Sequence, residues 1–352
     1  MRRKGTLTNM QSIELSDIEL KTVNEVLTSL TAKFHSVSDP EFVRQCPVYA
    51  HELPQRLRAE LNAFRLEASG GALSIRGFRI DDVAIGPTPE HWRTHLGRAS
   101  TLPAEMYFML CASLLGDPIA WATQQDGRIM HDIFPIQGHE KEQLGSGSEE
   151  LLTWHTEEAF HPLRADYLGL ACLRNHDRVA TTFASVDDLE LTDEIRDLLC
   201  QERYPIKPDR SHLPHHHEDN REMSTREREL LSRSYEWIMA KDSEPDRVAI
   251  LFGDREAPYL RIDPFFMEDA YAVPDSARAM KAVEAEVDRN IRDYVLEPGE
   301  LLFLDNYKIV HGRVPFTARF DGTDRWLKRL NVARDLRKSR DRRISHDARV
   351  IY

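Results

Sequence analysis

The run from Tyr167 to Leu173 is the feature that most limits what this chain can fold into. It is almost continuously apolar and suits a buried strand. Pro118 to Thr123, Val248 to Phe252, Tyr259 to Ile262 and Leu301 to Leu304 are similar short runs, and Ala72 to Phe78 alternates as a strand does. Gly, Pro, Asn and Asp turns separate them, which predicts a sandwich or jelly roll. Helices flank this core. Ser16-Asp17-Ile18-Glu19 reads as a capping box, with apolar residues at helical spacing over 17–34. Pro54 can start a second helix. Pro103 to Leu115 reads as a buried helix ended by Gly116, and Ala277 to Tyr294 has a strong helical period. The expected organisation is one domain over 1–352, with a helix-rich flank at 1–115 and a β core at 116–335. Residues 205–245 are polar and rich in Pro, His, Arg, Glu and Ser. They are expected to form a lid insert, with a surface helix around Arg226 to Ile238.

Composition narrows the partners. The 352 residues carry a net charge of −12, from 59 acids against 47 Lys and Arg. That balance argues against phosphate-backbone binding and against an anionic membrane surface. The basic run Arg334 to Arg343 is therefore read as a solvated face. The four cysteines lack a C-x-x-C pair, so neither a zinc knuckle nor a disulfide framework is expected. No apolar segment long enough for a signal peptide core or a membrane span follows Met1-Arg2-Arg3-Lys4. The cytoplasm is the expected location.

The chemistry concentrates in a His-x-Glu pair. His155 and Glu157 on an extended segment put an imidazole and a carboxylate on one face. A distant second His completes a site that leaves three positions open on iron, as oxygen chemistry needs. The pair alone is weak: 15 His and 59 acids make roughly 2.5 His-x-acid matches by chance. The chain has His155/Glu157, His216/Glu218 and His217/Asp219. The last two fall in a polar stretch and read as solvated loop. His155 follows Trp154 and precedes Phe160 and the apolar run. His311 follows the apolar strand ending at Leu304 and precedes Gly312, where backbone can approach closely. Arg325, fourteen residues on, offers the fork that a bidentate carboxylate requires.

The segment Trp154-His155-Thr156-Glu157-Glu158-Ala159-Phe160-His161-Pro162, with Arg164-Ala165-Asp166-Tyr167, resembles the clavaminate synthase-like oxygenases. It looks most like the arginine and enduracididine β-hydroxylases of peptide-antibiotic pathways. His51-Glu52-Leu53-Pro54, Trp121 to Gly127, Leu173-Arg174-Asn175, Asp305-Asn306 with His311-Gly312-Arg313, and Phe320 to Arg329 extend the likeness over nearly the whole chain. The resemblance implies a double-stranded β-helix, cupin-like in form. It implies iron(II) at His155, Glu157 and His311, with 2-oxoglutarate and O2 as co-substrates. Arg325 matches the anchor of the far 2-oxoglutarate carboxylate, assisted by Thr182, which has Thr181 beside it. Arg329 matches the grip on a substrate α-carboxylate. Gln124 and Glu157 match contacts to the α-amino end, and Asp209 matches a lid acid.

One segment departs from the pattern. Arginine-hydroxylating relatives carry Asp-Gly-Asp where this chain reads Asp263-Pro264-Phe265. One acid remains, and an aromatic face can stack on a guanidinium. The expected substrate is a free guanidino amino acid, enduracididine or arginine, hydroxylated at Cβ. Citrulline (at C3 or C4), asparagine and lysine are the alternatives, with desaturation a sister outcome. Glu157 argues against halogenation, because halogenating relatives have a small residue there. A non-catalytic metal-binding jelly roll is the remote alternative, since a structural site normally closes its shell with four protein ligands. Oligomeric state is left open by the sequence.

Overall fold

A computed structural model describes residues 10–67, 70–94, 97–214 and 222–352. The pairs at His216 and His217 lie outside these residues.

The first third is mostly helical. Strand β1 (Gln11–Glu14) leads into α1 (Asp17–Lys33), α2 (Pro40–Tyr49) and α3 (Gln55–Glu67). The capping box forms as read: Ser16 accepts from the Glu19 amide, and Glu19 reaches back to the Ser16 amide. Strand β2 (Ala72–Arg76), the short α4 (Asp82–Ile85) and α5 (Leu102–Leu115) follow. Helix α5 is apolar nearly all round because it is buried on every side.

The remainder is strand-rich. It contains β3 (Asp117–Trp121), β4 (Met130–Ile133), β5 (Leu152–His155), β6 (Tyr167–Arg174), β7 (Thr181–Ser185), α6 (Asp193–Leu199) and β8 (Tyr204–Ile206). Then come α7 (Thr225–Ser243), β9 (Asp246–Val248), β10 (Leu251–Gly253), β11 (Pro258–Leu260) and α8 (Pro274–Asn290). Strands β12 (Arg292–Tyr294), β13 (Leu301–Asp305), β14 (Ile309–Arg313), β15 (Trp326–Ala333) and β16 (Val350–Ile351) close the chain.

Among the described residues, an eight-stranded sheet runs β1-β2-β13-β6-β15-β3-β16, with β4 also on β15. A four-stranded sheet runs β12-β7-β14-β5. The period-two alternation of the strands sorts their side chains into layers. Leu168, Leu170, Leu302, Leu304 and Leu327 of the large sheet meet Phe183, Tyr294 and Ile309 of the small one. The opposite side of the large sheet packs Ala171, Phe303, Trp326 and Leu330 against α1, α2, α3 and α5. The outer side of the small sheet, with Ala184 and Val310, is covered by α6 and α8. Gly169 marks the closest approach of α5: a Cβ there would lie 2.8 Å from the Phe108 ring.

Two expectations change. The helical period past Ala277 stops at Asn290, and Arg292–Tyr294 instead pair with β7. Within the helix-rich flank, β2 pairs directly with β13 and so ties the flank to the large sheet. At the other end β16 pairs with β3, so the sheet reaches beyond residue 335. The polar stretch holds helix α7, as one reading of it anticipated. Among the described residues, no helix is long and apolar enough to cross a membrane.

Candidate metal and substrate site

His155 ends β5, and His311 sits directly opposite it in the antiparallel register of β14. His311 is thus inside a strand of its own, not at the exit of the preceding one. The two rings lie 4.6 Å apart between centroids. Gly312 lets the strands close, because a Cβ there would lie 2.4 Å from the Leu152 carbonyl oxygen. Glu157 follows two residues after His155, and its Oε2 is 3.8 Å from His155 Nε2 and 3.4 Å from His311 Nε2.

Asn306 fixes the backbone of Glu157. The Glu157 amide donates to Asn306 Oδ1 at 2.8 Å, and Asn306 Nδ2 donates back to the Glu157 carbonyl at 3.0 Å. His155 Nδ1 lies 2.8 Å from the Thr153 carbonyl oxygen, which leaves Nε2 turned to the site. Ligand atoms of His155, Glu157 and His311 all lie within 4.8 Å of one another. Two imidazoles and one carboxylate are a donor set for a divalent transition metal with open positions. Glu157 Oε1 is buried and pairs with the Arg329 guanidinium at 2.7 Å.

Among the protein's own groups, Glu157 serves as the shared anion for those around it. Burial works against the Glu157 charge, but Arg329 and both imidazoles hold it well below the usual range. Burial also opposes a charged His155, yet Glu157 and Asp263 bring it up to about 9. Burial, with His155 beside it, lowers His311.

A cavity of about 210 Å³ opens from the triad. Arg325, Leu327 and Arg329 face it from alternate positions leading into and along β15. Arg325 is fully buried, and burial brings it down to about 10, so it stays cationic near neutrality. It donates to Thr181 Oγ1 at 2.9 Å, while its Nε has no partner. Thr181, rather than the expected Thr182, is therefore the threonine at Arg325. The reason is alternation: Thr181 and Phe183 point between the sheets, whereas Thr182 points to the opposite face beside Gly312.

Arg329 NH1 is 2.7 Å from Glu157 Oε1, and its NH2 donates to Gln124 Oε1 at 3.0 Å. NH2 also donates at 2.7 Å to Nδ1 of His131, whose charged form is disfavoured by burial and by Arg329 itself. Gln124 Nε2 donates to Ser211 Oγ at 2.8 Å. Asp209 faces the same cavity. The expected Gln124, Glu157, Asp209 and Arg329 thus converge.

Neither Asp263 nor Phe265 lines the main cavity. Asp263 is buried near His155, and burial with Asp209 nearby pushes its carboxyl up to about 7. Phe265 lines a second hollow of about 220 Å³, which shares Gln143 and Leu144 with the main cavity. The Arg210 guanidinium lies 5.4 Å from the Phe265 ring centre.

The sequence reading missed His131, Ser211, the clamp role of Asn306 and the loop 137–151. That loop supplies His139, Gln143, Leu144 and Ser146 to the cavity. Arg313 ties it down by donating to the Gly147 and Glu150 carbonyls. The only sequence signal was Arg313 two residues after His311.

Comparison with known proteins agrees with this geometry. The family described as "Taurine catabolism dioxygenase TauD, TfdA family" matches residues 111–331. The enduracididine beta-hydroxylase of Streptomyces hygroscopicus is 49% identical over 97% of this chain and 100% of its own. The L-ornithine/L-arginine 3-hydroxylase of Catenulispora acidiphila is 42% identical over 97% and 100%. The non-heme iron oxygenase OrfP, solved with Fe, succinate and (3S)-hydroxy-L-Arg, superposes with a TM-score of 0.87 at 42% identity, covering 97% of this chain and 99% of that one. The chain belongs to the TauD, TfdA dioxygenase family.

Proposed function

We propose that this protein is an iron(II)- and 2-oxoglutarate-dependent dioxygenase that hydroxylates Cβ of a free guanidino amino acid, enduracididine or arginine. The observation that carries the reading is the row Arg325–Leu327–Arg329, which sets one buried and one partly buried guanidinium, each with an unpartnered Nε, beside the triad. One suits each carboxylate of two small acids bound together. The names of the enduracididine and ornithine/arginine hydroxylases, and the hydroxy-arginine bound to OrfP, support the substrate class. The two facing sheets fit the halves of a double-stranded β-helix, which we read as a single oxygenase domain.

In this reading His155, Glu157 and His311 hold the iron. Bound there, iron(II) supplies the oxidising power drawn from O2 and 2-oxoglutarate, with succinate and CO2 as by-products. Arg325 and Thr181 hold the far carboxylate of 2-oxoglutarate. Arg329 moves from Glu157 to the incoming α-carboxylate, and the α-ammonium takes its place between Glu157 Oε1 and Gln124 Oε1. Both ends of the amino acid head are then fixed, which aims Cβ at the metal. A displacement of ~1 Å costs ~10²-fold in rate, so this grip also selects the carbon. Leu168, Leu170 and Leu327 keep water from the reacting bond. Asp209 and Asp263 are the acids for the guanidino end.

Phe265 favours a second reading within the class. An aromatic residue in place of the segment's second acid suits a cyclic guanidinium or the neutral ureido group of citrulline better than extended arginine. The test is a panel of enduracididine, arginine, citrulline, asparagine and lysine with Fe(II), ascorbate and 2-oxoglutarate. Mass spectrometry should find a +16 product matched by succinate for a guanidino member. A product from citrulline alone would move the assignment to the ureido class, and no product from any would remove it.

A further inference from the structure

At the cavity wall three buried polar side chains meet, and one of them, Glu158, also lines the cavity. His212 Nε2 lies 2.5 Å from Glu158 Oε2, and His212 Nδ1 lies 2.6 Å from Thr123 Oγ1. The His212 and Glu158 side chains are 1% and 2% exposed. Trp121 and Phe160 meet the His212 ring edge-on, and His161 and Trp237 pack around Phe160. With Nε2–H donating to the carboxylate, Nδ1 accepts from the Thr123 hydroxyl, and the ring's hydrogen-bonding capacity is filled.

The three come from segments far apart in sequence, and each stands next to a residue at the head of the cavity. Thr123 precedes Gln124, Glu158 follows Glu157, and His212 follows Ser211. Glu158 takes a left-handed backbone, φ 51°, which carries its side chain to His212. A non-glycine residue keeps that conformation only where its surroundings hold it. The Gln124–Ser211 hydrogen bond spans two of the three segments.

We infer that Thr123, Glu158 and His212 form a positioning knot that sets Gln124, Glu157 and the Asp209–Ser211 segment in register around the substrate's α-amino end. The inference rests on the proposed function for its kinetic consequences and on geometry for the knot itself. These are positioning residues: they fix the head of the amino acid, and losing them lets the site consume 2-oxoglutarate while the substrate C–H bond is misplaced.

The variants are His212→Ala, His212→Gln and Thr123→Val, each as the iron-loaded full chain. In His212→Ala, hydrogen exchange at amides 209–213 should rise at least about tenfold. The KM for the amino acid should rise about tenfold, and succinate formed per hydroxylated product should rise at least about threefold. The KM for 2-oxoglutarate and the iron content should stay within about twofold. His212→Gln, which keeps a donor for Glu158, should recover much of the coupling. Thr123→Val removes one hydrogen bond without emptying the core, and should raise the same KM about threefold. Unchanged exchange and coupling in His212→Ala would overturn the knot. So would a fall in melting temperature and kcat with an unmoved amino-acid KM, or an equal rise in both KM values. If His212→Ala does not fold, Thr123→Val decides, and no rise in its KM overturns the inference. If the wild type hydroxylates no amino acid, the proposed function fails, while exchange at 209–213 still decides on the knot.

Discussion

The two faces of β15 carry the same kind of residue for opposite purposes. On one face lies Lys328, whose ammonium is 2.9 Å from Glu105 and 2.6 Å from Asp132. Asp132 also accepts from Trp326 Nε1 at 2.7 Å, and Glu105 from Thr101 at 2.9 Å. Burial opposes the Lys328 charge, but the two carboxylates outweigh it. On the other face, Arg325 has a threonine and, among the described residues, no carboxylate ion pair. Arg329 borrows a metal-ligand candidate, Glu157, as its anion. A buried charge whose counter-charges belong to the protein supports the fold. One whose counter-charge is missing or shared marks a place kept for a ligand.

That contrast can be broken by substitution. The largest effect should come from His311→Ala, which removes a donor outright. Product formation should fall by about 10³-fold or more, the scale of losing a metal's several kcal/mol, and iron content measured by mass spectrometry should fall with it. Lys328→Met strands two acids and should cost about 3 kcal/mol of stability by denaturant titration. Arg325→Met should do the reverse. The KM for 2-oxoglutarate should rise about 10²-fold, and the melting temperature should hold or increase. A stable Lys328→Met beside an unstable Arg325→Met would overturn the division of the strand.

Smaller effects sharpen it. Thr181→Val should raise the KM for 2-oxoglutarate about tenfold, as the loss of a hydrogen bond to a charged group does. Thr182→Val should leave it unchanged, and the opposite pattern would restore the sequence-based choice. A half-exposed pair supplies the lower limit. Arg56 holds Glu19 down to about 2. The depressed carboxylate contributes stability above its unfolded value of about 4.3 and loses it as pH falls through about 2. Glu19→Gln should therefore cost ~1 kcal/mol or less at neutral pH. Its deficit against wild type should close between pH 4 and 2 in acid melts.

What the sequence conveys follows from how local each constraint is. The run Tyr167–Leu173 and the cap at Ser16 are written in neighbouring residues, and both were legible. The triad needed a distant partner for His155, and the order of apolar runs supplied His311. The choice between Thr181 and Thr182 depends on which face β7 turns inward, and a lone short strand does not say. Strands β7 and β14 are only five residues each, and β15 carries Lys328 and Arg329 side by side, which hides its period. The loop 137–151 is polar and looks like solvent-facing chain. Only Arg313, reaching to two of its carbonyls, turns it toward the cavity. Asn306 was visible as part of a motif, but its clamp on Glu157 spans 149 residues.

The row on β15 bears on how such enzymes diversify. In the proposed reading, the anchors for the co-substrate and for the common amino acid head are Arg325, just before β15, and Arg329 on it, four residues apart. In the same reading, the groups for the variable end come from separate connecting segments around 139–146 and 265–266. Selection can therefore rework those segments one at a time while inheriting the reaction intact. A laboratory campaign for new amino acid specificity should randomise them and leave β15 alone.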